Sequence, residues 1–103
     1  MYSGIWTSKF YKNHINHGKI DIDTKKGNIC FIYTGTHNNG KVVYYNFDPQ
    51  DLDEKVLHLD TYFWISIQNY TLHTIMGTYQ TWGPHDHGIF IAYKEYKRCC
   101  NLT

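Results

Sequence analysis

The sequence predicts an all-β chain: a single antiparallel meander of about eight short strands, forming a small barrel or a sandwich, with the barrel preferred. Three observations carry this expectation. No window sustains an apolar period of 3.6 residues over three turns, whereas runs rich in Ile, Val, Tyr, Phe and Thr recur between Gly, Asn, Asp or Pro breaks. The connections are too short for parallel crossovers, which need roughly a dozen residues each. The length of 103 residues allows one domain over 1–103, large enough to bury a core without a metal or disulfide staple. An antiparallel sheet of that size curls, and closing it removes its exposed edges.

In chain order, strands are expected near Gly4 to Tyr11, Lys19 to Asp23, Asn28 to Thr36, Lys41 to Phe47, Lys55 to Asp60, Tyr62 to Gln68, Thr71 to Gln80 and Gly88 to Lys97. Lys25-Lys26-Gly27-Asn28 offers glycine for a positive φ in the second connection. Asn38-Asn39-Gly40 carries the signature of a type I′ hairpin. Asp48-Pro49-Gln50-Asp51 suits a turn or one brief helical turn, because proline presets φ and Asp48 can cap. The irregular stretch Gly83 to Gly88 joins the last two strands, and residues 97–103 read as a frayed C-terminal tail.

Ten Lys plus Arg against nine Asp plus Glu leave a formal charge of +1, with a single arginine and no charged tail. That balance gives no polyanion footprint. Aromatic and basic residues do interleave from Tyr93 to Arg98, but one arginine offers little bidentate phosphate capture, so a nucleic-acid partner is disfavoured. Met1 to Lys12 lacks a seven-residue apolar stretch, and the longest apolar block, Tyr62 to Ile67, is interrupted at Ser66. No signal peptide, secretion or membrane span is therefore expected. Three cysteines, Cys30, Cys99 and Cys100, are an odd number with two adjacent, which suits free thiols in a reducing, cytoplasmic or virion-associated setting. The sequons at Asn69 and Asn101 would matter only after secretion. Abundant Tyr, Ile, Asn and Lys point to AT-rich coding DNA, as in large DNA viruses, low-GC bacteria or some protozoa.

Several strands are apolar on both faces. Ile29, Phe31 and Tyr33 alternate with Cys30 and Ile32; Phe63, Ile65 and Ile67 with Tyr62 and Trp64; Phe90 and Ala92 with Ile89, Ile91 and Tyr93. A lone antiparallel sheet with one wet face would alternate apolar and polar positions. Self-association is the simplest cover, so a homo-oligomer, a dimer foremost, is expected through Ile32, Tyr62, Trp64, Ile89, Ile91 and Tyr93.

Gly4-Ile5-Trp6 has the Gly-x-Trp form that opens the first strand of lipocalins, fatty-acid-binding proteins and avidins. Gly18 to Ile22, the Gly27 turn, Tyr33-Thr34-Gly35-Thr36 and Gly77-Thr78-Tyr79 follow in an avidin-like order, so the layout resembles an up-and-down ligand-binding barrel over most of the chain. The resemblance implies a cation–π contact between Trp6 and Arg98, a basic residue near the last strand. The bulky Phe10 and Tyr11 after Thr7-Ser8-Lys9 depart from the avidin pattern of small polar side chains, so no ligand is carried over.

Candidate chemistry is sparse. Seven histidines include His85-x-His87 and His14-x-x-His17, the only pairs with ligand-like spacing, and His85 with His87 is the alternative metal site. Nothing in the spacing requires the two pairs to meet. Histidines alone could make the surface respond between about pH 5 and 7. His73-Thr74, His37-Asn38-Asn39 and His58-Leu59-Asp60 lack the His-x-Thr/Ser spacing of paired-histidine phosphodiester enzymes. No phosphate loop, Gly-x-Ser-x-Gly elbow or His-Glu-x-x-His helix occurs, and the two glutamates, Glu54 and Glu95, each adjoin a lysine. Asp86 beside His85 and His87 is the remaining acid–base set, and Lys97 and Arg98 could lower a thiol pKa at Cys99 or Cys100. The expected function is a non-enzymatic, self-associating module that binds a protein partner, with a viral accessory or virion protein as one setting. No catalytic residue or cofactor is assigned. The alternatives are a small-molecule barrel lined by Trp6, Tyr33, Trp64 and Tyr79, and a histidine-based metal protein or enzyme.

Overall fold

The computed structural model describes residues 1–8, 17–34, 39–82 and 86–95. Eight strands form among them: β1 (Tyr2–Ser8), β2 (His17–Asp23), β3 (Asn28–Tyr33), β4 (Val42–Asn46), β5 (Val56–Asp60), β6 (Phe63–Tyr70), β7 (Thr74–Thr81) and β8 (His87–Lys94). One short helix, α1 (Asp51–Glu54), lies between β4 and β5. All neighbours pair antiparallel in one sheet of order β4-β3-β2-β1-β8-β7-β6-β5. The first and last strands therefore meet at the centre of the ladder. The two edge strands, β4 and β5, come together on the far side, giving a nearly closed barrel.

Alternation decides what fills it. Ile20 and Ile22 on β2, Ile29 and Phe31 on β3, Leu57 on β5, Ile65 and Ile67 on β6 and Phe90 on β8 all point inward and are buried. Each such side chain contributes roughly 1.5–3 kcal/mol on leaving water. At the end bearing α1, Phe47 and Leu52 join this core. The opposite end, where β1, β3, β5 and β7 finish, is called the mouth below.

The expected turn at Gly27 forms. The backbone N–H groups of Lys25 and Lys26 donate to Asp23 Oδ1 at 3.1 and 3.0 Å, and the N–H of Gly27 donates to the Asp23 carbonyl at 2.9 Å. Those donors, Lys26 first, hold the Asp23 carboxyl below its usual range. The Asp48 carboxylate accepts from the N–H of Gln50 at 3.0 Å and so starts the turn that leads into α1. Lys55, at φ 64°, ends the helix with its N–H on the Leu52 carbonyl.

Two local expectations are corrected. A two-residue type I′ loop centred on Asn39-Gly40 would set Lys41 opposite Asn38, but the Lys41 carbonyl accepts from the Tyr33 N–H at 2.8 Å. The ladder's last pair, Ile32 with Val42, instead leaves a longer connection, in which Gly40 donates to the Tyr33 carbonyl at 2.8 Å. The strand expected from Thr71 begins only at Thr74, because the Thr71 hydroxyl accepts the N–H groups of His73 and Thr74 at 3.2 and 3.0 Å. A threonine that caps its own turn competes with the ladder. β6 correspondingly runs on to Tyr70, past a bulge between Ile67 and Asn69. The expected strand ends at Tyr11, Thr36 and Lys97, and the tail 97–103, lie outside the described residues.

Gly27 and Gly40 both sit at positive φ, 77° and 84°, but a Cβ at Gly27 would come within 2.1 Å of the Phe47 carbonyl oxygen, whereas one at Gly40 meets nothing within 4 Å among the described residues. Gly40→Ala should cost about 1–2 kcal/mol for the left-handed backbone alone. Gly27→Ala should cost clearly more. Urea denaturation of both variants checks this, and equal losses would show that the Phe47 carbonyl yields freely.

Candidate functional site

Six rings fill the mouth half of the barrel. Trp6 of β1, which is 3% exposed, lies edge-to-face against Tyr33 (centroids 4.9 Å apart), Tyr79 (5.8 Å) and Phe31 (6.0 Å). Phe63 joins from β6, 5.3 Å from Phe31 and 4.9 Å from Tyr45. The Tyr45–Phe63 contact links β4 to the β5–β6 hairpin across the unpaired seam. Trp6 Nε1 is buried and has no acceptor among the described residues. It lies over Gly18, whose missing Cβ would stand 3.0 Å from it.

A polar clamp adjoins the rings. The Ser8 hydroxyl donates to Asp86 Oδ1, and the Tyr79 hydroxyl is shared between the Thr7 carbonyl at 3.3 Å and Asp86 Oδ2 at 3.4 Å. Asp86 is itself held by its N–H on Thr81 Oγ1 at 2.9 Å. Three strands, β1, β7 and β8, are tied together at this point. Burial first, and the Asp86 charge second, push the Tyr79 phenol far above its ordinary range. Tyr33 is raised by the same two causes, and Tyr45 by burial, then Tyr33 and Asp60.

Of the residues expected to line a lumen, the structure brings together Trp6, Tyr33 and Tyr79. Trp64 is not with them: it sits on the outer face of β6, in register with His58 and Gln80. Its neighbours Phe63 and Ile65 take the inward positions. Phe31, Tyr45 and Phe63 were not among the lumen residues read from sequence, though their alternation with outward residues was the available signal. Arg98, the expected cation for Trp6, lies outside the described residues.

The outer face carries the other candidate surface. One cross-ladder row runs Val42, Ile32, Lys19, Ile5, Ile91, Met76 over six strands. Along β8, Ile89 and Tyr93 flank Ile91 on the same face. Exposure is 56% at Ile5, 45% at Ile89, 37% at Met76 and 56% at Tyr93. Among the expected contact residues, Ile89, Ile91 and Tyr93 thus form one column. Ile32 is separated from Ile5 by Lys19, Trp64 lies two strands from β8, and Tyr62 stands exposed in the β5–β6 turn. Ile5 and Met76 were missed, although Gly4-Ile5-Trp6 and Ile75-Met76-Gly77 show the same two-faced pattern.

Among the remaining groups, the Cys30 thiol is free and is raised by burial and then by Asp21, which makes it a weak nucleophile. His17 and His87 are described; their expected partners His14 and His85, and Cys99 and Cys100, lie outside the described residues. No group of three or more metal-ligating side chains occurs among the described residues. No described helix is long and apolar enough to cross a membrane. Comparison with family models, with characterised proteins and with solved structures finds no match. The barrel layout therefore rests on the sheet itself, and no match places the chain among avidins or lipocalins.

The raised phenols give a sign for alkaline behaviour. A phenol whose folded pKa exceeds its unfolded value adds stability that is complete below about pH 10 and is lost as the pH rises beyond it. Urea midpoints should fall above about pH 10 in the wild type, and less steeply in Tyr79→Phe. A Tyr79→Phe profile that parallels the wild type would contradict the assignment of Tyr79 as a buried neutral phenol.

Proposed function

We propose that this protein is a non-enzymatic interaction module that dimerises through the outer face of β7, β8 and β1 and in that form binds a protein partner. The observation that carries the reading is the run Ile5, Ile91 and Met76, in register on three adjacent strands and flanked by Ile89 and Tyr93. The inward faces of the same strands are already occupied by Trp6, Tyr79, Phe90 and Ile75. The outward residues therefore have no use in the subunit's own core. Covering them would remove from water an apolar patch of the kind that marks interfaces, at roughly 1.5–3 kcal/mol for each side chain fully buried. A two-fold contact needs only one self-complementary patch, and a net charge of +1 opposes association weakly.

Sedimentation velocity tests the reading. The wild type should sediment as a dimer at about 10 µM, an ordinary range for an interface of standard size. Ile5→Lys combined with Ile89→Lys should give monomers that keep their circular dichroism spectrum. Val56→Lys, on β5 and away from the patch, should leave the dimer intact. A wild type that stays monomeric throughout would contradict the proposal.

A small-molecule barrel is the second reading. It is favoured by the buried Trp6 Nε1 that lacks an acceptor among the described residues, and by the Gly4-Ile5-Trp6 resemblance to lipocalins and avidins. Native mass spectrometry of the protein as purified discriminates: added mass supports a resident ligand, and the bare chain mass counts against it.

A further inference from the structure

We infer that the cleft at the α1 end of the barrel is a binding site for a small zwitterion with an aromatic or branched body, the chemistry of a free α-amino acid. The inference is independent of the dimer, which uses the outer face. The cleft holds about 760 Å³ between α1, the β2–β3 turn and the β6–β7 turn. That is the size of a small-molecule site.

Its walls are of two kinds. Leu52 and Leu72 supply aliphatic surface, and Tyr70 supplies a ring packed edge-on against Tyr2 at 6.3 Å. The Tyr2 hydroxyl, within 3.1 and 3.2 Å of the Thr71 and Leu72 carbonyls, holds the β6–β7 turn in place as one wall. The cleft is also lined by Lys25 and Lys94 against Asp23 and Asp53, and no ion pair joins these four among the described residues. Lys94 is the telling member. It shares the inward register of Phe90 and Ala92, it is partly buried, and it lines the cleft. Asp23 keeps its charge because the Lys25 and Lys26 N–H groups stabilise the carboxylate.

Asp23 is already served by its backbone donors and the nearby Lys26 charge, which leaves Lys94 and Lys25 on one side of an apolar-walled space and Asp53 on the other, a set that selects for a ligand carrying both signs. A purely anionic or cationic ligand would satisfy one side and face repulsion from the other. The ligand carboxylate is assigned to Lys94, supported by Lys25, and its ammonium to Asp53.

The test uses the full chain and three probes: L-phenylalanine, 3-phenylpropionate and phenethylamine, titrated to about 10 mM while amide resonances are followed. L-Phenylalanine should shift Leu52, Leu72 and Lys94 saturably, with each singly charged probe bound about ten-fold or more weakly, as for loss of a charged hydrogen bond. Lys94→Met should remove the advantage of L-phenylalanine over phenethylamine. Asp53→Asn, on the exposed helix, should remove its advantage over 3-phenylpropionate, and it serves as the test if Lys94→Met does not fold. No saturable shift with L-phenylalanine, equal binding of all three probes, or shifts confined to other faces would each overturn the inference.

Discussion

The whole barrel depends on two aromatic side chains having somewhere to lie. Trp6 faces Gly18 across the β1–β2 ladder, and Tyr79 faces Gly88 across β7–β8. A Cβ at Gly18 would fall 1.8 Å from the Ile32 carbonyl oxygen, and one at Gly88 would fall 1.8 Å from that of Thr7 and 2.7 Å from the Tyr79 ring. The wall is therefore pinched where the rings cross it. Glycine on the concave side lets a sheet curl, and a neighbouring ring covers the backbone that the missing side chain leaves bare. Curling brings β4 and β5 together, and the contact of Tyr45 with Phe63 links β4 to the β5–β6 hairpin without a ladder.

This arrangement also explains the division of labour between the two faces. Large rings fill the interior at the mouth and isoleucines fill the middle, so the inward half of the alternation supplies the core. Ile5, Ile89, Met76 and Tyr93 are left over, on the convex side of the same strands whose concave side is pinched. The polar clamp of Ser8, Asp86 and Tyr79 ties those strands at the mouth, so the outward patch is presented on a braced surface. At the other end, α1 and the Thr71 turn frame a cleft lined by Lys25, Lys94, Asp23 and Asp53, with no ion pair among these four in the described residues.

Much of this was legible from the chain. The two-period alternation located all eight strands, and the Gly27 turn and the Asp48 turn followed from residue chemistry. Strand ends were harder to read. Thr71 looks like a strand former until its hydroxyl is seen accepting from the N–H groups of His73 and Thr74, and Asn38-Asn39-Gly40 looks like a two-residue turn until the register lengthens the loop. The site was half legible for a related reason. Period alone says that residues 62 to 67 alternate, but it does not say that Phe63 is the inward member and Trp64 the outward one. That choice is made by cross-strand register, and so were the pairing of Ile5 with Ile91 and the assembly of the α1-end cleft from α1 and two turns distant in sequence.

The seating of Tyr79 on Gly88 is the point at which the account is most exposed. Thermal unfolding of Gly88→Ala, followed in the near-ultraviolet where the packed Tyr and Trp rings absorb, measures it directly. The account predicts a variant that melts far below the wild type and has lost most of its near-ultraviolet signal, because the added methyl group meets the Thr7 carbonyl and the ring together. A variant with the wild-type spectrum and melting temperature would show that the barrel closes for some other reason.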